Sequence, residues 1–436
     1  MLRKTLTVLC FTIACCLVAV SASGQDSAGI PKIRLKSYHP APQGFSQETL
    51  DQLTRGELSS SSSTNPIKFP NWSFSITSSR DGKTYSGTMV GGSPLAGGGS
   101  STTVPLKVIP VIVKTVALGT AVSSNGIITV ATGATTDKTT FSPTAVDNSC
   151  LAKPNNIPAT VFKQSPLFNN ADFNYGGTDV GTTQATDAFQ RANFWGTINR
   201  ATYHVDLTDT QLPAVTLTVP APKNGVGGLA LDLPNLLVGG ACGRIALVDG
   251  NTIGNFLGNV LSALLTKGTV GPTNLPAFMF YNAAITAGDP TNLANCCIGG
   301  FHGAVNIGTT ANPIAQTFSV FDFDMTGLFL NDSDTATASH EIAEWVDDPL
   351  GNNPTPLWGH VGQVGGCANN LEVGDPLSGT EAPRIAMPNG FTYHLQELAF
   401  FSWFFGAANG GSPSLGVNNW FSNNGTFLTN AGPVCH

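Results

Sequence analysis

The chain has 436 residues, of which 41% are hydrophobic and only 11% charged. It holds ample material for a buried core, which excludes an intrinsically disordered polypeptide. Twenty Lys and Arg against 27 Asp and Glu, a formal net charge of −7, leave no basic stripe for a phosphate backbone, so electrostatic nucleic-acid binding is excluded as well.

Residues 1–22 carry Arg3 and Lys4, an apolar run from Leu6 to Val20, and Val20-Ser21-Ala22 at the end. This is the pattern of a secretory signal peptide, and the run is too short for a comfortable membrane span. No later stretch reaches about 18 apolar residues. The expectation is a secreted, extracellular or periplasmic protein with no transmembrane anchor after cleavage. Six cysteines then remain, Cys150, Cys242, Cys296, Cys297, Cys367 and Cys435. An even number in an exported chain reads as disulfides. The adjacent Cys296 and Cys297 are expected to bond two different partners, because a vicinal bridge is strained.

Residues 23–103, with the serine run Ser59–Ser63 and the Gly/Ser-rich linker Gly91–Ser101, read as a flexible N-terminal extension, the alternative being a pro-segment removed on maturation. Residues 104–436 form the main domain. Val104–Thr115 and Gly126–Ala131 are strand-like. Phe189–Ile198, after Asp187, reads as a short helix in which Asp187, Arg191 and Trp195 serve packing and an ion pair. Tyr203–Leu207 and Ala214–Val219 read as strands. Asn251–Lys267 has apolar residues at helical spacing and ends at Gly268. Strand-like Ala277–Tyr281 and Thr317–Phe323 follow, the latter as a sheet edge. Thr335–Val346 reads as a helix stopped by Pro349, and Thr392–Phe405 as a second apolar helix or strand. The order indicates an α+β fold.

The acidic residues are unevenly placed. There are seven Glu, five of them between 341 and 397, and beyond Lys267 the only basic residue is Arg384. On the helix, His340 and Glu344 are four apart and share a face, so an imidazole and a carboxylate can grip one divalent ion. Glu341 lies about 100° round the helix and can address a water beside that ion. Asp347 and Asp348 add carboxylates at the helix C-terminus, where the macrodipole disfavours anions. Bound metal or raised pKa values would relieve that repulsion. A third ligand is sought downstream, and Glu372 is the candidate, with Asp375 three residues later as a partner for the other ring nitrogen of His340. His360 and His394 compete, and His302, among glycines, reads equally well as a turn residue.

These residues resemble the zincin metallopeptidases, most closely the branch with a downstream Glu ligand, the gluzincins. The stretches 177–195 (GTDVGTTQATDAFQRANFW), 296–305 (CCIGGFHGAV), 339–352 (SHEIAEWVDDPLGN) and 371–375 (LEVGD) also resemble secreted bacterial and fungal proteins carrying S-H-E-x-x-E-x-x-T-D-P followed by E-x-x-D. Those in turn are similar to the plant EXORDIUM (phosphate-induced) proteins. The resemblance spans roughly residues 85–436 and implies a zincin-like mixed sheet, a backing helix at 251–267 and a loop-rich C-terminal part. It implies His340, Glu344 and Glu372 as metal ligands, Asp375 behind them and Glu341 as general base.

The function implied is peptide hydrolysis with a metal-bound water. Zn²⁺ is the expected ion, although Glu in place of the second His could favour another divalent cation. Tyr393, His394 and His360 are candidates for the oxyanion or substrate. The alternative is a non-catalytic, wall-associated EXORDIUM-like protein with a structural ion, such as Ca²⁺ on Glu344, Asp347 and Asp348.

Overall fold

The computed structural model describes residues 29–55, 57–58, 64–96, 99–131, 138–175, 178–198, 202–381, 384–406 and 435. The segment 1–22, expected to be a signal peptide, and the serine run 59–63 lie outside the described residues.

A seven-stranded sheet organises the molecule around the long strand Ser101–Thr115. His204–Gln211 and Val215–Val219 pair with it in parallel, and Thr139–Phe141 pairs antiparallel at its end. Leu275–Tyr281 is parallel to it, Ala315–Phe323 is parallel to Leu275–Tyr281, and Gly300–Asn306 closes the order antiparallel. Leu275–Tyr281 is buried at every position, as expected of a strand covered on both faces.

Side-chain alternation sends Leu106, Val108, Ala277, Met279, Phe321 and Phe323 to one face. There they meet Ile342, Ala343, Trp345 and Val346 of the motif helix Ala336–Asp347. Ile109, Val111, Val113, Phe278, Phe280 and Val320 line the other face. Against them lies the helix Gly250–Thr266, through Ile253, Leu257 and Leu261; Asp249 caps it by accepting from the backbone of Asn251 and Thr252. A second, six-stranded sheet has Ile245–Asp249 between Ala283–Thr286 and Gly228–Leu231. It closes that side and holds a third apolar cluster beyond it. The architecture is mixed α and β, in keeping with the α+β expectation.

Several local expectations change. Ala315–Phe323 is interior, flanked by strands on both sides, and Gly300–Asn306 is the edge. The short helix begins at Ala185, so Asp187 sits inside its first turn. Its carboxylate is drawn to tertiary donors, the backbone N–H of Val205 at 2.7 Å, the hydroxyl of Thr183 at 2.6 Å and His204 at 2.9 Å. Within Thr392–Phe405 only Phe401–Phe405 is helical. The described part of 29–96 is built into the body: Trp72, Phe74, Ile76 and Met89 of the hairpin Asn71–Thr77/Thr84–Val90 join the cluster under the motif helix, and Phe69 packs on Trp345 with ring centroids 5.2 Å apart.

The cysteines pair as Cys150–Cys242, Cys367–Cys435 and Cys296–Cys297. This corrects the expectation that Cys296 and Cys297 take different partners. The other four satisfy one another across the fold, and the adjacent two sit together in the third apolar cluster, joined by a cis peptide. Among the described residues no helix is long and apolar enough to cross a membrane.

Candidate metal centre

Every residue of the motif helix is buried, because it runs across Ala315–Phe323 and Gly300–Asn306 on one side and is covered by the hairpin and the C-terminal segment on the others. Burial turns its polar residues inward upon one another. His340 Nε2 stands 3.0 Å from Glu344 Oε1, 3.6 Å from Asp375 Oδ1 and 4.0 Å from Glu341 Oε1. Its other nitrogen, Nδ1, is 2.9 Å from Gln396 Oε1, and the Gln396 amide N–H₂ donates to the Gly374 carbonyl. With Nδ1–H donating to Gln396, Nε2 faces three carboxylates that favour a cation there, whether its own proton or a bound ion. That set has acceptors on every side, which is the donor set of a cation site.

Two glycines permit this closeness. A Cβ on Gly374 would lie 2.5 Å from His340 Cγ, and one on Gly300 would lie 2.7 Å from Glu341 Cγ. Gly374 also donates its N–H to Glu344 Oε1 at 3.0 Å, so the turn after Glu372 passes directly over the imidazole. Gln396 orients the ring without touching an ion. Gln396→Leu is therefore expected to weaken divalent-ion affinity by about 10–100-fold with little change in melting temperature, as read by equilibrium dialysis and a thermal scan.

Three ligand triads converge, all sharing Glu344: His340–Glu344–Asp375, His302–Glu341–Glu344 and His39–Glu344–Glu372. His302 lies on the edge strand, with Nδ1 3.6 Å from Glu341 Oε2 and 3.7 Å from Glu344 Oε2. His39 comes from the N-terminal segment, with Nδ1 3.2 Å from Glu372 Oε1 and Nε2 2.8 Å from Asp375 Oδ2. His302 Nδ1, Glu344 Oε2 and Glu372 Oε2 are buried without any hydrogen-bond partner.

The electrostatics follow from burial and proximity. Burial raises the Glu341 and Glu372 carboxyls above the usual range, against the pull of His302 and His340 on the first and of His39 on the second. Glu344 is also penalised by burial, but His340, then His302 and His39, outweigh that and hold it down to about 2. Burial tends to lower His340, yet the charge and hydrogen bond of Glu344 carry it well above its ordinary value.

The two downstream carboxylates do not take the expected places. Asp375, expected behind the ligands, faces Nε2 of His340 and joins its triad, while Glu372 pairs with His39 and accepts from Asn370 at 2.5 Å. The outer role belongs to Gln396. Asp347 accepts from Gln190 and Asn193, and Asp348 from the backbone of Asn352 and Asn353. Their carboxylates are thus committed to protein donors rather than to a calcium triad with Glu344.

Tyr393 donates to the Val161 carbonyl at 2.6 Å and accepts from Asn389, which takes its hydroxyl out of play. His394 is bound to Asp334 and braces the start of the motif helix. His360 is on an exposed hairpin, 3.9 Å from the sulfur of Cys367. Sequence reasoning missed His39 and Gln396, for which no local signal exists. His302 had one, since alternation along the strand places it opposite Phe301 and on the face of the motif helix.

No family model matches the chain, and no curated protein and no solved structure matches it.

Proposed function

We propose that the protein is an exported, zinc-dependent hydrolase of peptide bonds, built on the gluzincin-like and EXORDIUM-like pattern of its motif helix. The observation that carries this reading is the buried, acceptor-only surround of His340 Nε2, with the Glu341 carboxylate beside it. A divalent ion held by His340, Glu344 and Asp375 would supply Lewis acidity to a carbonyl and make a neighbouring water more acidic. Imidazole with carboxylates suits zinc better than calcium.

Glu341 is the base. Burial raises its carboxyl toward the range where it can both take and return a proton. It borders a cavity of about 10 Å³, shared with Gly300, Thr337 and His340, room for about one water. There the carboxylate can accept the proton of that water and hand it to the leaving amine. Three disulfides fit an oxidising compartment.

A second reading, a structural ion in a non-catalytic protein, draws on the smallness of that cavity and its cover by Leu35 and Lys36. Cleavage of fluorescently labelled, unfolded casein at millimolar peptide-bond concentration separates the two. Zinc-loaded wild type is expected to release peptides, and Glu341→Gln to lose about 10²–10⁴-fold in rate while keeping the ion at His340. Stoichiometric zinc with no cleavage by wild type would leave only the structural reading.

A further inference from the structure

We propose that a second divalent cation binds between His302 Nδ1, Glu341 Oε2 and Glu344 Oε2, so that Glu344 bridges two ions through its two oxygens. The argument begins with the tautomer of His302. Its Nε2 is 3.0 Å from the backbone carbonyl of Asp348, and a carbonyl only accepts, so Nε2 carries the proton. Nδ1 is then the atom left to take a proton or an ion, and it faces carboxylate oxygens 3.6 Å and 3.7 Å away. These separations are too long for hydrogen bonds. They are close to the roughly 3.4 Å that tetrahedral geometry sets between ligand atoms about 2.1 Å from a common ion.

His302 Nδ1 and Glu344 Oε2 have no hydrogen-bond partner, and His302 is only 3% exposed. Three such groups call for a cation among them, and a divalent ion there takes the place of the Nδ1 proton that Glu341 and Glu344 otherwise favour against burial. Nor does the first ion serve both imidazoles. His340 and His302 belong to separate triads that share Glu344, His340 using Oε1 and His302 nearest to Oε2.

One nitrogen and two oxygens define a borderline site, suited to Zn²⁺, Co²⁺ or Mn²⁺ rather than to an all-oxygen ion.

An ion here takes an oxygen of Glu341, so its occupancy opposes proton acceptance by that residue. This consequence rests on the hydrolytic reading; the binding itself does not.

The test is a Co²⁺ titration of the full, chelator-stripped chain, with stoichiometry measured by equilibrium dialysis and by the visible d–d absorption. Wild type is expected to bind two Co²⁺ in resolved steps. His302→Ala is expected to bind one, with the first step within about threefold of wild type. His302→Gln keeps a donor for the Asp348 carbonyl and gives the same answer should the Ala variant not fold. One Co²⁺ per folded wild-type chain, or two in both His302 variants, would overturn the proposal. Two bound Co²⁺, with no casein cleavage even after the first step alone is filled, would sink the hydrolytic reading and leave the second site standing.

Discussion

Glu344→Gln removes tight divalent-ion binding and leaves the fold in place. The amide fills the same volume and keeps an oxygen for the Gly374 N–H, now 3.0 Å from Glu344 Oε1. It cannot supply the second anionic oxygen, and its N–H₂ would point where a ligand is needed. All three triads of this centre include Glu344, so one substitution acts on each of them. Glu341→Gln and Glu372→Gln each touch one triad and should keep the ion at His340. The expected loss for Glu344→Gln is at least about 100-fold in affinity, on the scale by which ligand and supporting residues set metal binding. Equilibrium dialysis against Zn²⁺, with near-ultraviolet circular dichroism as the check on folding, measures it. Affinity within tenfold of wild type would show that the centre lies elsewhere.

Stripping the metal should make stability depend on pH in an unusual direction. Beyond the ligands, the molecule buries several more carboxyls. Burial pushes Asp347 up to about 8, Asp332 to about 7, and Asp324 and Asp348 to about 6. A carboxyl with a raised folded-state pKa holds its proton more tightly folded than unfolded. Its stabilising share is complete below the unfolded value near 4 and is lost as pH rises through the folded value. The metal-free protein should therefore melt higher at pH 5.5 than at pH 8, by roughly 5–10 °C for a few kcal/mol. Saturating Zn²⁺ at pH 8 should restore a few degrees, since an ion at 100 times its dissociation constant adds about 2.7 kcal/mol. Scanning calorimetry at both pH values decides it. A metal-free protein that melts higher at pH 8 would show that these carboxyls are ionised at little cost.

Much of the fold is legible because it is periodic. The strand-like runs 277–281 and 317–323 and the 3.6-residue spacing of 251–267 each specify one element, and the observed bounds differ by two residues or fewer. Order within the sheet is another matter. Ala315–Phe323 reads as an edge because its sequence carries no mark of the return strand Gly300–Asn306 that covers it. The helix with His340, Glu341 and Glu344 is equally local and stood out against the scarcity of Glu. The rest of the centre is assembled over long distances. His39 arrives from some 300 residues upstream of the motif helix, and Gln396 from a segment in which the sequence singles out Tyr393 and His394 instead. Between Glu372 and Asp375 the choice depends on how the chain turns at Gly374, a matter of backbone position that residue types do not encode.

The N-terminal segment that delivers His39 also occupies the sheet edge. Gln43 accepts from the backbone N–H of Asn306 and donates to the carbonyl of Ala304, at 2.8 Å and 3.0 Å, in parallel register with Val305. A peptide adding to that edge as a further strand must displace a competitor tethered to the same chain. Such a tether acts at an effective concentration of order millimolar. Affinity for any strand-adding substrate is thus set by a contest within the protein, and the half-saturating concentration should fall in a chain that ends its contacts with Ala304 and Asn306.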